Sequence, residues 1–378
     1  MRIAMIGSRG VPATFGGIEH HVEELGSRLA ARGHDVIVYA RTNYVEDPVD
    51  EYLGMRVKRL PTVNRKHLDA IVHSLVSTQD AMREGVDVVH YHAIGPGIPA
   101  FLPRSLSRAK VVLTVHGRDG ERAKWGHGAR TILSSAEWLS ARVPDATIVV
   151  SRDLQRHYAT AYKRPTYHIP NGVDPAEPRD ADEITRRWGL TAGSYVLFVG
   201  RLVPEKAPDL LIRAVQQLSG DRRLVVAGGS SFTDAYVRAL HESTRDDPRI
   251  ELTGYVYGDV LRELYTNAAA FVLPSSLEGL PLTLLEAASY GTPIVASDIP
   301  PHVEIVGEEA PGHRLFRTGS KDELLAAIER SVADPGAERA GAAAFRDDVL
   351  DRYRWDAAVE ETESVYERIT GPSSKAQR

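Results

Sequence analysis

Short apolar runs alternate with segments of helical periodicity along the first half of the chain. The candidate strands are Ile3–Ile6, Asp35–Ala40, Val86–His92, Lys110–His116, Thr147–Ser151 and Tyr167–Ile169. Between the first two runs, Val22, Leu25 and Leu29 recur at helical spacing, which predicts a helix over Ile18–Arg32 with Gly33 as its stop. Alternation of this kind is typical of βαβ units and predicts a parallel sheet.

The alternation of candidate strands and helices stops at a polar segment and then resumes. Asn171–Asp182 is rich in Pro, Asp and Gly and is predicted to be a linker. The second series of candidate strands is Tyr195–Val199, Arg223–Ala227, Ile250–Thr253, Ala270–Pro274 and Pro293–Ser297, with helices near Pro208–Leu218, Gly258–Asn267 and Leu282–Tyr290 and a helical tail at Arg339–Ile369. We therefore expect an α/β protein of two doubly wound, Rossmann-like parallel-sheet domains facing a central cleft. Their predicted bounds are 1–175, joined by a C-terminal helix at 355–370, and 190–350.

Composition narrows the class of protein. The 378 residues are 43% hydrophobic and 26% charged, as in soluble globular proteins. The chain contains no apolar run long enough to cross a membrane and no signal-peptide pattern, so we expect a cytoplasmic protein. The absence of cysteine excludes disulfides, thiolate catalysis and Cys-ligated zinc.

Charge gives two further expectations about partners. The net charge is −5 and no basic stripe is interleaved with aromatic residues, which argues against nucleic acid. The amphipathic segment Val63–Val76 carries Arg65, Lys66 and His67, and it suggests the hypothesis of a peripheral membrane contact.

A glycine-rich loop follows the first strand. It runs from Gly7 to Glu19 and does not match the dinucleotide pattern G-x-G-x-x-G. Gly16 and Gly17 stand just before a helix, where unpaired backbone N–H groups suit a phosphate. A purely structural turn explains these glycines equally well.

Two cations follow the first strand of the second series. Arg201 and Lys206 lie in the segment Gly200–Lys206, and a guanidinium with an ammonium suits a diphosphate. The alternative is a helix-capping ion pair between Glu205 and Lys206.

Two glutamates eight residues apart form the third motif. Glu278 follows a strand, and Glu286 lies among Leu284, Leu285 and Ala287 in the next predicted helix. A carboxylate in apolar surroundings is rare unless it is paired, so we favour a binding role. Carboxylates accept hydrogen bonds from sugar hydroxyls, whereas the alternatives are an N-terminal helix charge and an exposed helix carboxylate.

Together these motifs resemble glycosyltransferase family 4. Glu278 and Glu286 match the E-x7-E element of retaining glycosyltransferases with the GT-B fold, and EGLPLTLLEAASYGTPIVASDIP and GRLVPEKAPDLLIRAV resemble that family. The N-terminal part, with Thr114-Val115-His116-Gly117, is similar to the bacterial rhamnosyltransferase-like subgroup.

The resemblance implies a role for each matching residue. The roles are diphosphate binding by Gly16, Gly17, Arg201 and Lys206, ribose binding by Glu286, donor-sugar binding by Glu278, Gly279 and Leu280, catalysis by His116 and Glu278, and nucleobase contact near Tyr255 and Val256. The subgroup has an aromatic residue where this chain has Gly120, which bears on the acceptor, and Lys124 and Trp125 are candidate acceptor contacts.

The expected activity is transfer of a hexose or deoxyhexose, with retention, from a nucleotide diphosphate sugar to a glycan, lipid-linked or small-molecule acceptor. We expect no cofactor and no metal. Asp180-Ala181-Asp182 matches the D-x-D element of metal-dependent enzymes but falls in the predicted linker, and His90 and His92 are expected to be structural. The alternatives are a nucleotide-sugar 2-epimerase of similar fold and a non-catalytic nucleotide-sugar-binding subunit.

Overall fold

A computed structural model describes residues 1–14, 16–42, 44, 49–63, 69–118, 135–229 and 234–371. The chain divides into two compact units. Unit 1 comprises Met1–Gly172 and Trp355–Arg378, and unit 2 comprises Val173–Arg354. Within the described ranges, no helix is both long and apolar enough to cross a membrane.

Unit 1 is built on one sheet. Its strands are β1 (Arg2–Ile6), β2 (Asp35–Arg41), β3 (Glu51–Tyr52), β4 (Met55–Leu60), β5 (Val88–His92), β6 (Lys110–Val115), β7 (Ala146–Val149) and β8 (Tyr167–His168). The spatial order is β3-β4-β2-β1-β5-β6-β7-β8. All neighbours pair in parallel except β3 with β4. The central strand β5 is buried along its whole length, as expected for a parallel sheet with both faces covered.

Helices cover this sheet. They include α1 (Gly17–Ala31), α2 (Asp69–Glu84), α3 (Phe101–Leu106) and α4 (Arg152–His157). The predicted apolar face of α1 is buried, with Val22 and Leu29 completely inaccessible. The last helix of the chain, α13 (Trp355–Thr370), also belongs to unit 1 and packs beside α1, where Glu363 pairs with His34 at 2.7 Å.

Unit 2 repeats the architecture with fewer strands. They are β9 (Tyr195–Val199), β10 (Arg223–Ala227), β11 (Ile250–Gly254), β12 (Ala270–Leu273), β13 (Ile294–Ser297) and β14 (His313–Phe316). All pairs are parallel in the order β11-β10-β9-β12-β13-β14. This is the order of a doubly wound nucleotide-binding fold.

The helices of unit 2 alternate with these strands. They are α5 (Glu183–Trp188), α6 (Pro208–Val215), α7 (Asp234–Thr244), α8 (Gly258–Asn267), α9 (Leu282–Ser289), α10 (Pro300–Val306), α11 (Lys321–Ala333) and α12 (Pro335–Arg352). Helix α9 begins directly after Pro281, whose missing N–H costs nothing at a helix start. The tail predicted as one helical stretch is two helices, because α12 ends at Arg352 and α13 starts at Trp355.

Candidate active site

Each sheet reverses its strand order at one point. In unit 1 the reversal lies between β1 and β5, and in unit 2 between β9 and β12. Open parallel sheets bind ligands outside the carboxyl ends of the strands at such a switch point. The predicted motifs follow these strands, so the topology places a candidate site in each unit.

In unit 2 the loops after β9, β10 and β12 lie against one another. A Cβ built on Gly228 would lie 1.9 Å from the carbonyl oxygen of Gly200, and Gly228 has a φ of +143°. Only glycine allows this approach of the loop after β10 to the loop after β9. The amide of Ser276 donates to the carbonyl of Glu205 at 2.8 Å, which ties in the loop after β12.

Lys206 and Glu278 form a buried ion pair at this point. The Lys206 Nζ donates to Glu278 Oε1 at 2.5 Å, and the two side chains are only 13% and 10% exposed. Burial opposes the negative charge of Glu278, but the Lys206 ammonium, His302 and the Ser275 hydroxyl together outweigh it and hold the pKa of that carboxyl below its usual value. The anticipated alternative, a pair between Glu205 and Lys206, is therefore wrong, because Glu278 takes the ammonium.

A chain of hydrogen bonds connects Glu278 to residues buried behind it. The Ser275 hydroxyl donates to Glu278 Oε1 at 2.7 Å, and the Ser297 hydroxyl donates to the Ser275 carbonyl. His302 Nδ1 lies 3.0 Å from the Ser297 carbonyl, and burial lowers the pKa of His302 to about 4. The sequence analysis missed Ser275, Ser297 and His302, since single polar residues outside a recognised motif carry no distinct signal.

Glu286 is half-buried on α9 and has a specific partner. The Tyr265 hydroxyl donates to Glu286 Oε2 at 2.9 Å. Tyr265 is 2% exposed, and its ring stacks on Tyr290 with centroids 5.3 Å apart. One carboxylate oxygen is thus held in place by a buried phenol.

The other predicted residues of unit 2 lie at the same edge of its sheet. Arg201 is half-buried immediately after Gly200, while Gly279 and Leu280 are buried before α9. Tyr255 is 39% exposed after β11, with its ring stacked on Tyr257 and packed over the backbone of Gly229.

In unit 1 the glycine-rich loop opens α1. Gly16 is the N-terminal cap of that helix with a φ of +89°, Gly17 is its first residue, and both are exposed. Below them Glu19 is buried and accepts a hydrogen bond from the Arg9 amide at 3.0 Å, while burial raises its pKa. A Cβ on Gly7 would lie 2.3 Å from the His92 carbonyl oxygen, so the loop after β1 lies tightly against the end of β5.

His116 belongs to a cluster of imidazoles. It follows β6, and its Nε2 lies 3.4 Å from Nδ1 of His92 at the end of β5. The ring of His21, on α1, lies 4.6 Å from that of His116 between centroids. His21 Nδ1 in turn lies 2.9 Å from the Asn171 side-chain oxygen. Burial lowers the pKa of His21 to about 4 and those of His92 and His116 well below the usual value.

The two histidines expected to be structural differ from each other. His90 engages both ring nitrogens, with Tyr366 at 2.6 Å and Thr114 at 2.7 Å. His92 instead lies beside His116, and its Nε2 is buried with no hydrogen-bond partner among the described residues. His21, His92 and Asn171 are thus candidate site residues that the sequence analysis missed. The sequence feature that could have indicated a site here is the pair of histidines, His90 and His92, on one apolar strand.

Several expectations lie outside the described residues. They concern Arg65, Lys66, His67, Gly120, Lys124 and Trp125. Asp180 and Asp182 of the D-x-D match lie within the described residues. They precede α5 and do not directly follow a strand.

Two Rossmann-like units with polar side chains at their switch points define a class of nucleotide-binding α/β proteins. The comparisons with known proteins identify the family of proteins within that class. Residues 15–177 match the model of Glycosyltransferase Family 4, and residues 180–346 match the model of Glycosyl transferases group 1. The chain is a GT-B glycosyltransferase similar to family 4. The predicted fold class and the predicted glycosyltransferase activity class are confirmed.

Known proteins match along nearly their full length. The chain is 26% identical to an alpha-maltose-1-phosphate synthase of Mycolicibacterium smegmatis, over 98% of this chain and 100% of that protein. Among solved structures, sucrose-phosphate synthase from Thermosynechococcus elongatus superposes with a TM-score of 0.84 at 22% identity, covering 97% and 98% of the two chains. HepE of Anabaena, solved with UDP-glucose, has a TM-score of 0.80 at 19% identity, covering 97% and 99%.

Proposed function

We propose that the chain transfers a hexose or deoxyhexose, with retention of configuration and without a metal, from a nucleotide diphosphate sugar to a glycan, lipid-linked or small-molecule acceptor. The observation that carries the proposal is the buried Lys206–Glu278 pair at the switch point of unit 2. The solved complex of HepE with UDP-glucose supports a nucleotide-sugar donor.

Lys206 and Arg201 are the proposed diphosphate ligands. The Glu278 carboxylate pairs with Lys206, so the ammonium is not buried without a partner. An arriving diphosphate brings a second anion to this ammonium. The same charge would stabilise the nucleotide diphosphate as it leaves, which is the work that a divalent ion does in metal-dependent transferases.

The two carboxylates are proposed to bind hydroxyl groups. The lowered pKa of Glu278 keeps it ionised, so it acts as a hydrogen-bond acceptor and suits the donor sugar, beside the amides of Gly279 and Leu280. Glu286 is oriented by Tyr265 and keeps a second oxygen for the ribose. Gly16 and Gly17 at the start of α1 are proposed phosphate contacts, and the region of Tyr255 and Val256 is the proposed nucleobase contact.

The state of His116 supports retention. Burial lowers its pKa, which makes the imidazole a weak base and a poor acceptor for the proton of an attacking hydroxyl. His116 is instead proposed to bind hydroxyls of the donor sugar. The leaving phosphate is then the base: as its bond to the anomeric carbon breaks, it takes the proton of the acceptor hydroxyl, and the acceptor oxygen bonds to that carbon on the same face, which gives retention.

Calorimetric titration with UDP, GDP, dTDP and ADP in EDTA tests the donor site. We expect one nucleotide to bind best, with weaker binding to Glu286→Gln and to Lys206→Met. The matched controls are Glu329→Gln and Lys321→Met on α11, and they should bind like the parent chain. Circular dichroism of each variant checks that it is folded.

Binding to none of the four nucleotides, or equal binding by all variants, would refute the donor site. With the preferred nucleotide sugar, the proton coupling constant of the anomeric centre of the product reports its configuration. Inversion, or activity that EDTA abolishes and a divalent ion restores, would refute the proposed mechanism.

A further inference from the structure

Three histidines from separate elements converge at the switch point of unit 1. His21 lies on α1, His92 ends β5 and His116 follows β6. One ring nitrogen from each lies within 4.8 Å of the corresponding nitrogens of the other two. His21 and His92 are buried, while His116 is partly exposed and leaves the group accessible from one side.

The spacing of two of these nitrogens fits ligands of one metal ion. Nδ1 of His92 and Nε2 of His116 are 3.4 Å apart, which is long for a hydrogen bond. Two nitrogens bound to a tetrahedral zinc at about 2.0–2.1 Å are separated by roughly 3.3–3.4 Å. All three ligand nitrogens lie within 4.8 Å of one another, so small side-chain rotations are enough to bring the third ring to this separation.

Asn171 orients the third ring. Its side-chain oxygen lies 2.9 Å from His21 Nδ1, so that nitrogen carries the proton and donates it to the oxygen. The opposite nitrogen, Nε2, then has a free lone pair, and it is buried with no hydrogen-bond partner among the described residues. A metal-binding histidine has this arrangement, in which an outer hydrogen bond holds the tautomer and the other nitrogen binds the ion.

The donor set selects the ion. Three imidazoles with no carboxylate among them suit zinc and related transition ions, whereas magnesium and calcium prefer oxygen ligands. Three histidines with one remaining coordination position form an open zinc site rather than a closed structural one.

We propose that His21, His92 and His116 form a binding site for Zn²⁺, and that an ion bound there withdraws His116 from the donor sugar and inhibits transfer. The inhibitory consequence rests on the proposed function, whereas the binding site does not. Zinc would therefore act as a regulator of this transferase and not as its cofactor.

Metal uptake by the purified, tag-free chain tests the site without any activity measurement. We expect Co²⁺ to bind at one ion per chain and to give the visible absorption of tetrahedral cobalt, which Zn²⁺ displaces. His21→Gln should weaken binding by about tenfold or more. Asn171→Asp places a carboxylate behind His21 and should strengthen binding, and a misfolded variant cannot produce that gain.

His20→Ala is the matched control. His20 is the neighbour of His21 on α1 and faces Glu23 and Glu24, which form a second group able to hold an ion. If the proposal is correct, this variant binds the ion like the parent chain. Loss of binding in His20→Ala with retention in His21→Gln would overturn the site, as would the absence of saturable one-to-one uptake.

Activity provides the second measurement. We expect Zn²⁺ to inhibit sugar transfer by the parent chain in the concentration range of the uptake titration. Metal uptake without inhibition would overturn the regulatory role alone. Absence of transfer with every nucleotide sugar would count against the proposed function and leave the uptake result intact.

Discussion

The two units place different chemistry at the same point of the same architecture. At its switch point unit 1 has His21, His92 and His116, whose pKa values burial lowers. Unit 2 has Lys206 and Glu278, which form a buried ion pair that holds the pKa of the carboxyl below its usual value. An imidazole can enter a buried site by releasing its proton, whereas an ammonium and a carboxylate must enter as a pair. The first site is thus the more sensitive to protons, whereas the second, in which His302 is the buried imidazole, depends mainly on the charged pair.

The largest effect that we expect is loss of unit 1 at a higher pH than unit 2, because more of the described histidines with lowered pKa values lie in unit 1 than in unit 2, where they are His302 and His313. The unfolded chain protonates its histidines near pH 6.5. In folded unit 1 the pKa values of His21 and His73 are about 4 and that of His90 is about 3. The unfolded state therefore binds more protons in this window. Stability falls as the pH decreases from about 6.5 to 4, by about 1.4 kcal/mol per pH unit for each such ring.

Hydrogen–deuterium exchange resolves the two units in one experiment. The chain is incubated in EDTA at a series of pH values and labelled in a short pulse at one fixed pH. Peptides from β5 and β6 should lose protection at a higher pH than peptides from β9 and β12. His73→Gln should make the pH dependence shallower by one proton. Earlier loss of unit 2 would contradict this prediction.

The second effect concerns the charged pair. Lys206→Met leaves Glu278 buried without its partner, and we expect unit 2 to lose about 3–5 kcal/mol of unfolding free energy. The double variant Lys206→Met/Glu278→Met should recover most of this loss, because an apolar pair has no charge to desolvate. Urea unfolding measures both variants. Equal stability of Lys206→Met and the parent chain would mean that solvent, and not Lys206, compensates the charge of Glu278.

The smallest effect concerns the orientation of Glu286. Tyr265→Phe removes the hydroxyl that donates to this carboxylate at 2.9 Å, a contribution of about 1 kcal/mol and thus about fivefold in the dissociation constant of the nucleotide. Tyr236→Phe removes a similar phenol–carboxylate hydrogen bond, to Asp209, and serves as the control. Titration calorimetry should show weaker binding only for Tyr265→Phe, and equal weakening in both variants would assign the effect to general loosening of unit 2.

The local sequence pattern was sufficient to predict the bounds of an element where its apolar positions are regular and turn residues flank it. The predicted helix Gly258–Asn267 and strand Tyr195–Val199 have the observed bounds, since turn residues mark their ends. The sequence analysis missed the hairpin of β3 and β4. Its second strand, Met55–Leu60, buries Met55 and Val57 in alternation, but the charged residues between them obscured that signal.

The sequence by itself determined the class of fold and the places where chemistry follows a strand, because periodicity and spacing are local properties. Lys206, Glu278 and Glu286 were singled out from such spacing, whereas His116 was singled out through the resemblance to glycosyltransferase family 4. Only the tertiary structure decided their partners. His21 and Asn171 are separated by 150 residues, and Lys206 and Glu278 by 72. A hydrogen bond or an ion pair depends on atoms that folding brings together, and burial, which sets the charge of each group, is a property of the packed chain.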